Sequence, residues 1–470
     1  EPITSPTFNL LHTYEGGRMP MHHATGKKLL GFWDLMSISL GQIIGTGVVV
    51  LTGVSISMTG YGAPWAFLLA LAIVAIPTIC IAALGSAVPS TGGNYTYVRD
   101  LLGQKTSFFY LSLLVVGQLI LSSFAIGFAE YTEALIPNLN LTVVAAGVMV
   151  LCFVANLFGI KAAARFQAVM VLGLLTSLVL YIIFGLSHVN DFTPYKSLPD
   201  IMPNGFAGFF AAAFLLRLSL IGSEFISEFG DEMENPGKMI PVVMGLSLAI
   251  VTLLYTLIAV VATGVLPLEE IAGENLAATA KIIFSPGVYI LFIAGGIMIS
   301  LVTSLNAIFA WCTRGLYMAT EDGWLPPQLA VLNRYGVPFI YLTVFFLVGM
   351  TPIMTGMSLG YVAILGNAVG AIFGLFPVFA LFNLAKRNPE AYQRAPFRLP
   401  YWATKLFPLL AVGIYGYGIY SSWDFIGNTG WFLLLGYSIA VLLYIHFRAP
   451  HVQAVAREAR AKAVVGAAIT

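Results

Sequence analysis

Two stretches, Gly41-Gln-Ile-Ile-Gly45-Thr46-Gly47 and Leu220-Ile221-Gly222-Ser223, place glycines and hydroxyl side chains inside long apolar runs. Glycine in such a run has an ordinary use, which is to let helices pack closely. Three glycines bracketing the polar Gln42 and Thr46 exceed what packing requires. A helix interrupted within a membrane leaves backbone N–H and C=O groups unpaired, at a cost unless something satisfies them. Free N–H groups at the start of a half-helix suit a carboxylate, and the Thr46 hydroxyl adds a donor. The carbonyls of Leu218, Ser219 and Ile221, with Ile43 on the other stretch, suit an ammonium group. Donors on one break and acceptors on the other match an α-amino acid zwitterion, or a similar amine-bearing solute. Gly45 and Gly47 are then the points of backbone approach.

Other residues have the chemistry for supporting roles. Glu224 follows the second break at membrane depth, where a carboxylate is expensive and usually functional. Arg217 lies about eleven residues into its span, roughly 16 Å deep in a core of about 30 Å, so its guanidinium needs a partner. The candidates are the half-helix carbonyls, Glu224, or an anionic group on a substrate. The neighbours Thr303 and Ser304 offer two hydroxyls to a sodium ion, although hydroxyls in helices commonly bond back to the preceding turn. Tyr95 and Tyr97 read as interface aromatics, and the seven tryptophans as interface anchors. Glu228, Asp231, Glu232 and Glu234 read as a solvated loop that could pair with basic loops during gating. His12, His22 and His23 are poor metal candidates. Three widely spaced cysteines, Cys80, Cys152 and Cys312, fit neither a metal site nor a disulfide framework.

The elements that must position these groups follow from composition. Of 470 residues, 59% are hydrophobic and 9% charged, against roughly a quarter charged in a globular domain. This describes an all-α polytopic membrane protein; continuously apolar segments exclude a β-barrel, and a soluble enzyme or nucleic-acid binder is excluded as well. No cleavable signal peptide is read in the polar first 30 residues. Twelve apolar segments run at approximately 31–57, 62–86, 105–130, 142–160, 163–187, 206–229, 239–265, 287–318, 338–355, 358–384, 403–421 and 430–447. With both termini cytoplasmic, nineteen of the 22 Lys and Arg fall in inner segments, as the positive-inside rule requires. The interrupted spans are the first and sixth. Breaks at equivalent places in two halves mark an inverted repeat, and an offset of five spans makes the halves inverted.

Five signatures in order carry a family resemblance. They are Gly41–Gly47; Pro89-Ser-Thr-Gly-Gly-Asn-Tyr-Thr-Tyr97; Ile221-Gly-Ser-Glu224 followed by Asn235-Pro-Gly-Lys-Met-Ile-Pro241; Arg314-Gly-Leu-Tyr-Met-Ala-Thr-Glu-Asp-Gly-Trp-Leu-Pro326; and Arg394-Ala-Pro-Phe-Arg-Leu-Pro400. From Gly31 to about Pro400 the chain resembles permeases of the amino acid–polyamine–organocation (APC) superfamily. The resemblance implies a LeuT-type 5+5 inverted repeat with helices 1 and 6 broken, two C-terminal helices, and alternating access. It carries a substrate site onto Ile43, Thr46, Gly47, Leu218, Ser219, Ile221 and Gly222, and a gating or proton-linked role onto Glu224. Two departures stand out. Leu218 occupies a position that is aromatic in arginine/agmatine carriers, and the fifth span lacks the lysine that replaces sodium in proton-coupled relatives.

The expected organisation is a cytoplasmic tail over 1–30, a first repeat over 31–187 and a second over 206–385. Helices 11 and 12 with their preceding loop occupy 386–447, and a cytoplasmic tail 448–470. The expected function is secondary transport of an amino acid or derivative by exchange, with neutral or acidic substrates favoured. The alternatives are a cationic amino acid or polyamine carrier, or a proton- or sodium-coupled symporter. No enzyme chemistry, cofactor, metal or nucleic acid is expected. The partners are the small-molecule substrate and the lipid bilayer of a plasma (inner) membrane, and oligomeric state is left open.

Overall fold

The computed structural model describes residues 30–469 and is helical throughout, with two isolated bridges, Leu30 to Met233 and Thr91 to Phe229, and no strand among the described residues. The expected tail of residues 1–30, including His12, His22 and His23, lies outside the described part except for Leu30. Eight helical stretches are long and apolar enough to cross a membrane: Leu51–Ala87, Gln104–Glu133, Ile160–Leu186, Gly205–Glu228, Pro236–Val265, Pro286–Glu321, Leu359–Arg387 and Trp423–Glu458. Leu141–Leu157 and Phe339–Thr355 are shorter apolar helices. The chain is therefore an integral, multi-pass, all-α membrane protein.

In chain order the helices are α1 (Phe32–Ile43), α2 (Thr46–Thr59), α3 (Ala63–Ala87), α4 (Gly93–Leu102), α5 (Gln104–Gly117), α6 (Leu121–Leu135), α7 (Leu141–Leu157) and α8 (Ile160–Leu186). Then come α9 (Leu198–Ile201), α10 (Gly205–Leu216), α11 (Pro236–Val265), α12 (Leu268–Ile271), α13 (Ala277–Ile283) and α14 (Pro286–Phe292). The remainder are α15 (Ile299–Trp311), α16 (Thr313–Glu321), α17 (Phe339–Thr355), α18 (Leu359–Arg387), α19 (Pro389–Arg394), α20 (Ala403–Ser421) and α21 (Trp423–Ile469). Punctuation residues set several boundaries. The Asn140 side chain caps α7 by accepting from the Val143 N–H at 3.2 Å, and Ser358 caps α18. Asn235 in the left-handed region followed by Pro236 opens α11. Between α14 and α15 the chain takes one π-helical segment, Ile293–Met298, and α21 is kinked at Gly427.

The packing places the two interrupted stretches at the centre. α1 lies against α8, α11 and α15, while α2 lies against α10, which also packs on α3. α3 runs along α11, and α18 along α20. By contrast α21 leans on the body with one side only. Just 6% of its most apolar stretch is buried, which suits a helix whose other sides face lipid.

Candidate functional site

Both expected breaks exist. α1 ends at Ile43, Ile44 and Gly45 are extended, and α2 starts at Thr46 with no side-chain cap on its N-terminus. α10 ends at Leu216 and winds into a 3-10 turn, Arg217–Leu220. Ile221 is extended, Gly222 has φ +142°, and a second 3-10 segment, Ser223–Glu228, follows. That φ is one that side chains rarely adopt, which accounts for glycine at 222. The breaks are packed on one another. A Cβ on Gly47 would lie 2.5 Å from Ser219 Cβ and 2.7 Å from its Cα, and one on Gly222 would lie 3.0 Å from Gln42 Cγ. The side chain of Thr46 is outside the described part.

The carbonyls released by the first break have partners from two other helices. Ser304 Oγ on α15 donates among the carbonyls of Gly41, Ile44 and Gln42, at 3.1, 3.3 and 3.4 Å. Tyr255 Oη on α11 donates to the Ile43 carbonyl at 3.3 Å. Each carbonyl carries two lone pairs, so Ile43 still has acceptor capacity. Of the two hydroxyls considered for sodium, only Ser304 reaches the break. Thr303 Oγ1 turns back to the Ser300 carbonyl at 2.8 Å, and its own carbonyl accepts from Gln167 Nε2 at 3.0 Å. Ser219 Oγ likewise turns back, to Leu216 at 2.6 Å. Ser223 Oγ is buried at the second break and has no hydrogen-bond partner among the described residues. Phe124 on α6 closes the side of Gly45, 3.3 Å from where its Cβ would be.

Gln167 is a residue that the sequence reading passed over. Its amide lies against Gly41 and its Oε1 accepts from Asn306 Nδ2 at 2.8 Å. Asn306 Oδ1 in turn accepts from Asn156 Nδ2 at 2.9 Å. This buried amide chain joins α7, α8 and α15 beside the first break. A glutamine and two asparagines scattered over 150 residues make no motif; their one signal was polarity inside apolar helices.

Arg217 sits elsewhere. Its guanidinium lies over the Phe214 ring at 4.1 Å and is 5% exposed. Among the described residues it makes no hydrogen bond or ion pair, and its Nε is a buried orphan. It lines a narrow cavity with Ile221 and Glu224, closed by Val74, Pro77, Thr78 and Ile81 of α3 and by Ile414 and Tyr415 of α20. Of the three partners considered, the half-helix carbonyls do not accept from it. The Glu224 carboxylate accepts from the Gly222 N–H at 2.9 Å. The cavity is behind the second break and includes no residue of the first.

Three readings of surface residues are corrected. Tyr95 and Tyr97 are buried rather than at an interface, and so are Trp311 and Trp324. Tyr95 Oη donates to Asp322 at 2.6 Å, and Arg99 pairs with the same carboxylate at 3.2 Å. Half of the acidic run, Glu228 and Glu232, is buried rather than solvated. Glu232 and Arg314 form a buried two-pronged ion pair at 2.8 and 2.9 Å, Glu228 accepts from the Asn94 N–H at 3.2 Å, and Asp231 from the Thr91 N–H at 2.8 Å. Asp231 and Glu234 are exposed. Sequence alone could not see that α4 folds in against this loop. Above it, Trp311 stacks on Phe225 at 4.0 Å and donates Nε1 to Gln42 Oε1 at 2.9 Å. These contacts join α1, the second break and α15, and close one end of the site. At the other end Gly53 accepts from the Gly273 N–H at 2.9 Å, and Thr59 Oγ1 donates to Ile201 at 2.8 Å. Among the described residues no group of three or more His, Cys, Asp or Glu could hold a metal, and the three cysteines are free and buried.

Two interrupted membrane helices packed break to break are an arrangement suited to a solute carrier. The sequence profile of the amino acid permease family matches residues 30–447, and the chain belongs to that family. Over 451 residues it is 26% identical to the methylthioribose transporter of Bacillus subtilis, covering 90% of this chain and 94% of that protein. It is 27% identical to the serine/threonine exchanger SteT of Bacillus subtilis, with 78% and 86% covered. It is also 27% identical to the branched-chain amino acid permease BcaP of the same organism, with 67% and 72% covered.

Proposed function

We propose that this permease exchanges a neutral amino acid across the plasma membrane by alternating access, with both termini cytoplasmic. The observation that carries the reading is the uncapped N-terminus of α2 set against Ser219 and Gly222. It offers N–H donors to a carboxylate beside carbonyls that suit an ammonium. Ile43, Gly45, Thr46, Gly47, Leu218, Ser219, Ile221 and Gly222 are the proposed substrate contacts. Neutral substrates are favoured over acidic ones because the buried cation of the second break, Arg217, lines a cavity that includes no residue of the first break. Exchange is favoured over sodium coupling because, of the two candidate hydroxyls, only Ser304 contacts the first break, while Thr303 bonds back within its own helix. The proposed architecture is twelve spans in a 5+5 inverted repeat, 31–187 and 206–385, with two further helices over 386–447.

The test is uptake of labelled amino acids into proteoliposomes. A neutral amino acid placed inside should stimulate entry without any ion gradient. Entry into empty vesicles that requires a sodium or proton gradient overturns exchange. A second reading rests on the match to the methylthioribose transporter, whose named substrate is a thiosugar lacking an ammonium group. Competition by methylthioribose but by no amino acid would select it.

A further inference from the structure

We infer that Arg217 and Glu224 form a water-bridged charge pair behind the second break, and that Arg217 is a positioning residue for the break rather than a substrate ligand. A guanidinium within an apolar bundle needs compensation. Stacking on Phe214 supplies part of it, since an aromatic face attracts a cation. It does not satisfy the five N–H donors, and the buried Nε has no acceptor.

The narrow cavity answers this. Its polar groups are Arg217, Glu224, the Tyr415 hydroxyl and Thr78, and the last already donates to the Val74 carbonyl at 2.9 Å. Among the described residues Glu224 is thus the one anionic side chain lining the space. The two charges stand on either side of Gly222, Arg217 in the 3-10 turn before it and Glu224 in the segment after it. They make no direct ion pair. Water entering a polar cavity with several partners bridges such groups at little cost. Glu224 also holds the Gly222 N–H at 2.9 Å. The pair therefore fixes the angle between the two arms of the break from behind, while the front faces α1 and α2. Removing either charge alone leaves the other buried and uncompensated. Removing both leaves a neutral cavity.

The experiment is a double-mutant cycle on Arg217→Met and Glu224→Gln in the full-length protein, read in two ways. In detergent, thermal unfolding should show each single variant less stable and the double variant recovering at least half of the summed loss. In proteoliposomes, which rests on the transport reading above, Arg217→Met should lower the maximal rate about tenfold with little change in KM. The double variant and Arg217→Lys should recover much of that rate. Additive losses in the unfolding cycle overturn the pairing, whatever the substrate is. A KM effect confined to anionic substrates overturns the positioning role. A wild-type rate that needs chloride rather than gluconate, with the need lost in Arg217→Met, assigns Arg217 to a dissolved anion and overturns the pairing. If Arg217→Met is not recovered from the membrane, Arg217→Lys and Glu224→Gln carry the cycle. If the wild type transports nothing offered, the unfolding cycle still decides.

Discussion

At the scale of single residues, the site is built from places where a side chain cannot fit. Gly47 is the sharpest, because a Cβ there meets both the side chain and the backbone of Ser219. Gly47→Val is expected to abolish substrate-induced thermal stabilisation while the protein still inserts and elutes as a single species. Retained binding at wild-type affinity would return Gly47 to a packing role. The glycines and hydroxyls of both breaks were legible in the sequence because small and polar residues inside an apolar run have few explanations. The direction of Arg217 was not. A residue in a 3-10 turn advances about 120° rather than 100°, so the turn at Arg217–Leu220 swings its members off the face that an α-helix would give. Gln167 was missed for a different reason. Its function is to satisfy a carbonyl on another helix, and nothing local records that. The buried pair of Arg314 and Glu232 yields a second expectation. Arg314→Met leaves a carboxylate 4% exposed without its partner, which costs about 3–5 kcal/mol. It should appear as a clear fall in unfolding temperature, smaller in the double variant with Glu232→Gln.

Among elements, the informative contacts are those that join segments far apart in the chain. Trp311 at the end of α15 holds Gln42 of α1 and Phe225 of the second break at once. Trp311→Ala should release α1 from α15 at that end. Its neighbour Cys312, 1% exposed, then becomes a reporter. With Cys80 and Cys152 replaced by Ala, maleimide labelling of Cys312 should accelerate at least tenfold, and an unchanged rate would deny Trp311 any gating role. The turn after α16 is clasped in the same manner. Tyr95 and Arg99 hold Asp322 from α4, while from α21 Tyr444 Oη donates to the Trp324 carbonyl at 2.5 Å and Arg448 Nε to Gly323 at 3.1 Å. The long apolar helices were readable from composition alone. The burial of α4 was not, because ten mixed residues carry no hydropathy signal that separates a docked helix from a surface one.

For the molecule as a whole, contacts between distant segments lie on either side of the two breaks. The α2 end is held by the loop that follows α12. A Cβ on Gly53 would run into the Glu274 backbone carbonyl, so Gly53→Val should wedge that end open while the Trp311 end stays shut. Such a variant is expected to bind substrate from one side only and to lose exchange. Labelling of cysteines introduced on either side of the site would measure this, and equal access from both sides would contradict it.

The π-helical segment Ile293–Met298 makes the long helix Pro286–Glu321 a matter of counting. One residue more than an α-helix needs is taken up there, and each residue is worth about 100° of rotation and 1.5 Å of rise. Downstream, Ser304, Asn306 and Trp311 are each anchored to other helices. Upstream, Phe292 stacks on Tyr181 at 5.1 Å. The two sets can be satisfied together only with the surplus residue in place. Deleting Gly295 would straighten the helix and put one end out of phase with the rest of the protein. Residue number, as well as residue type, is therefore fixed along this helix.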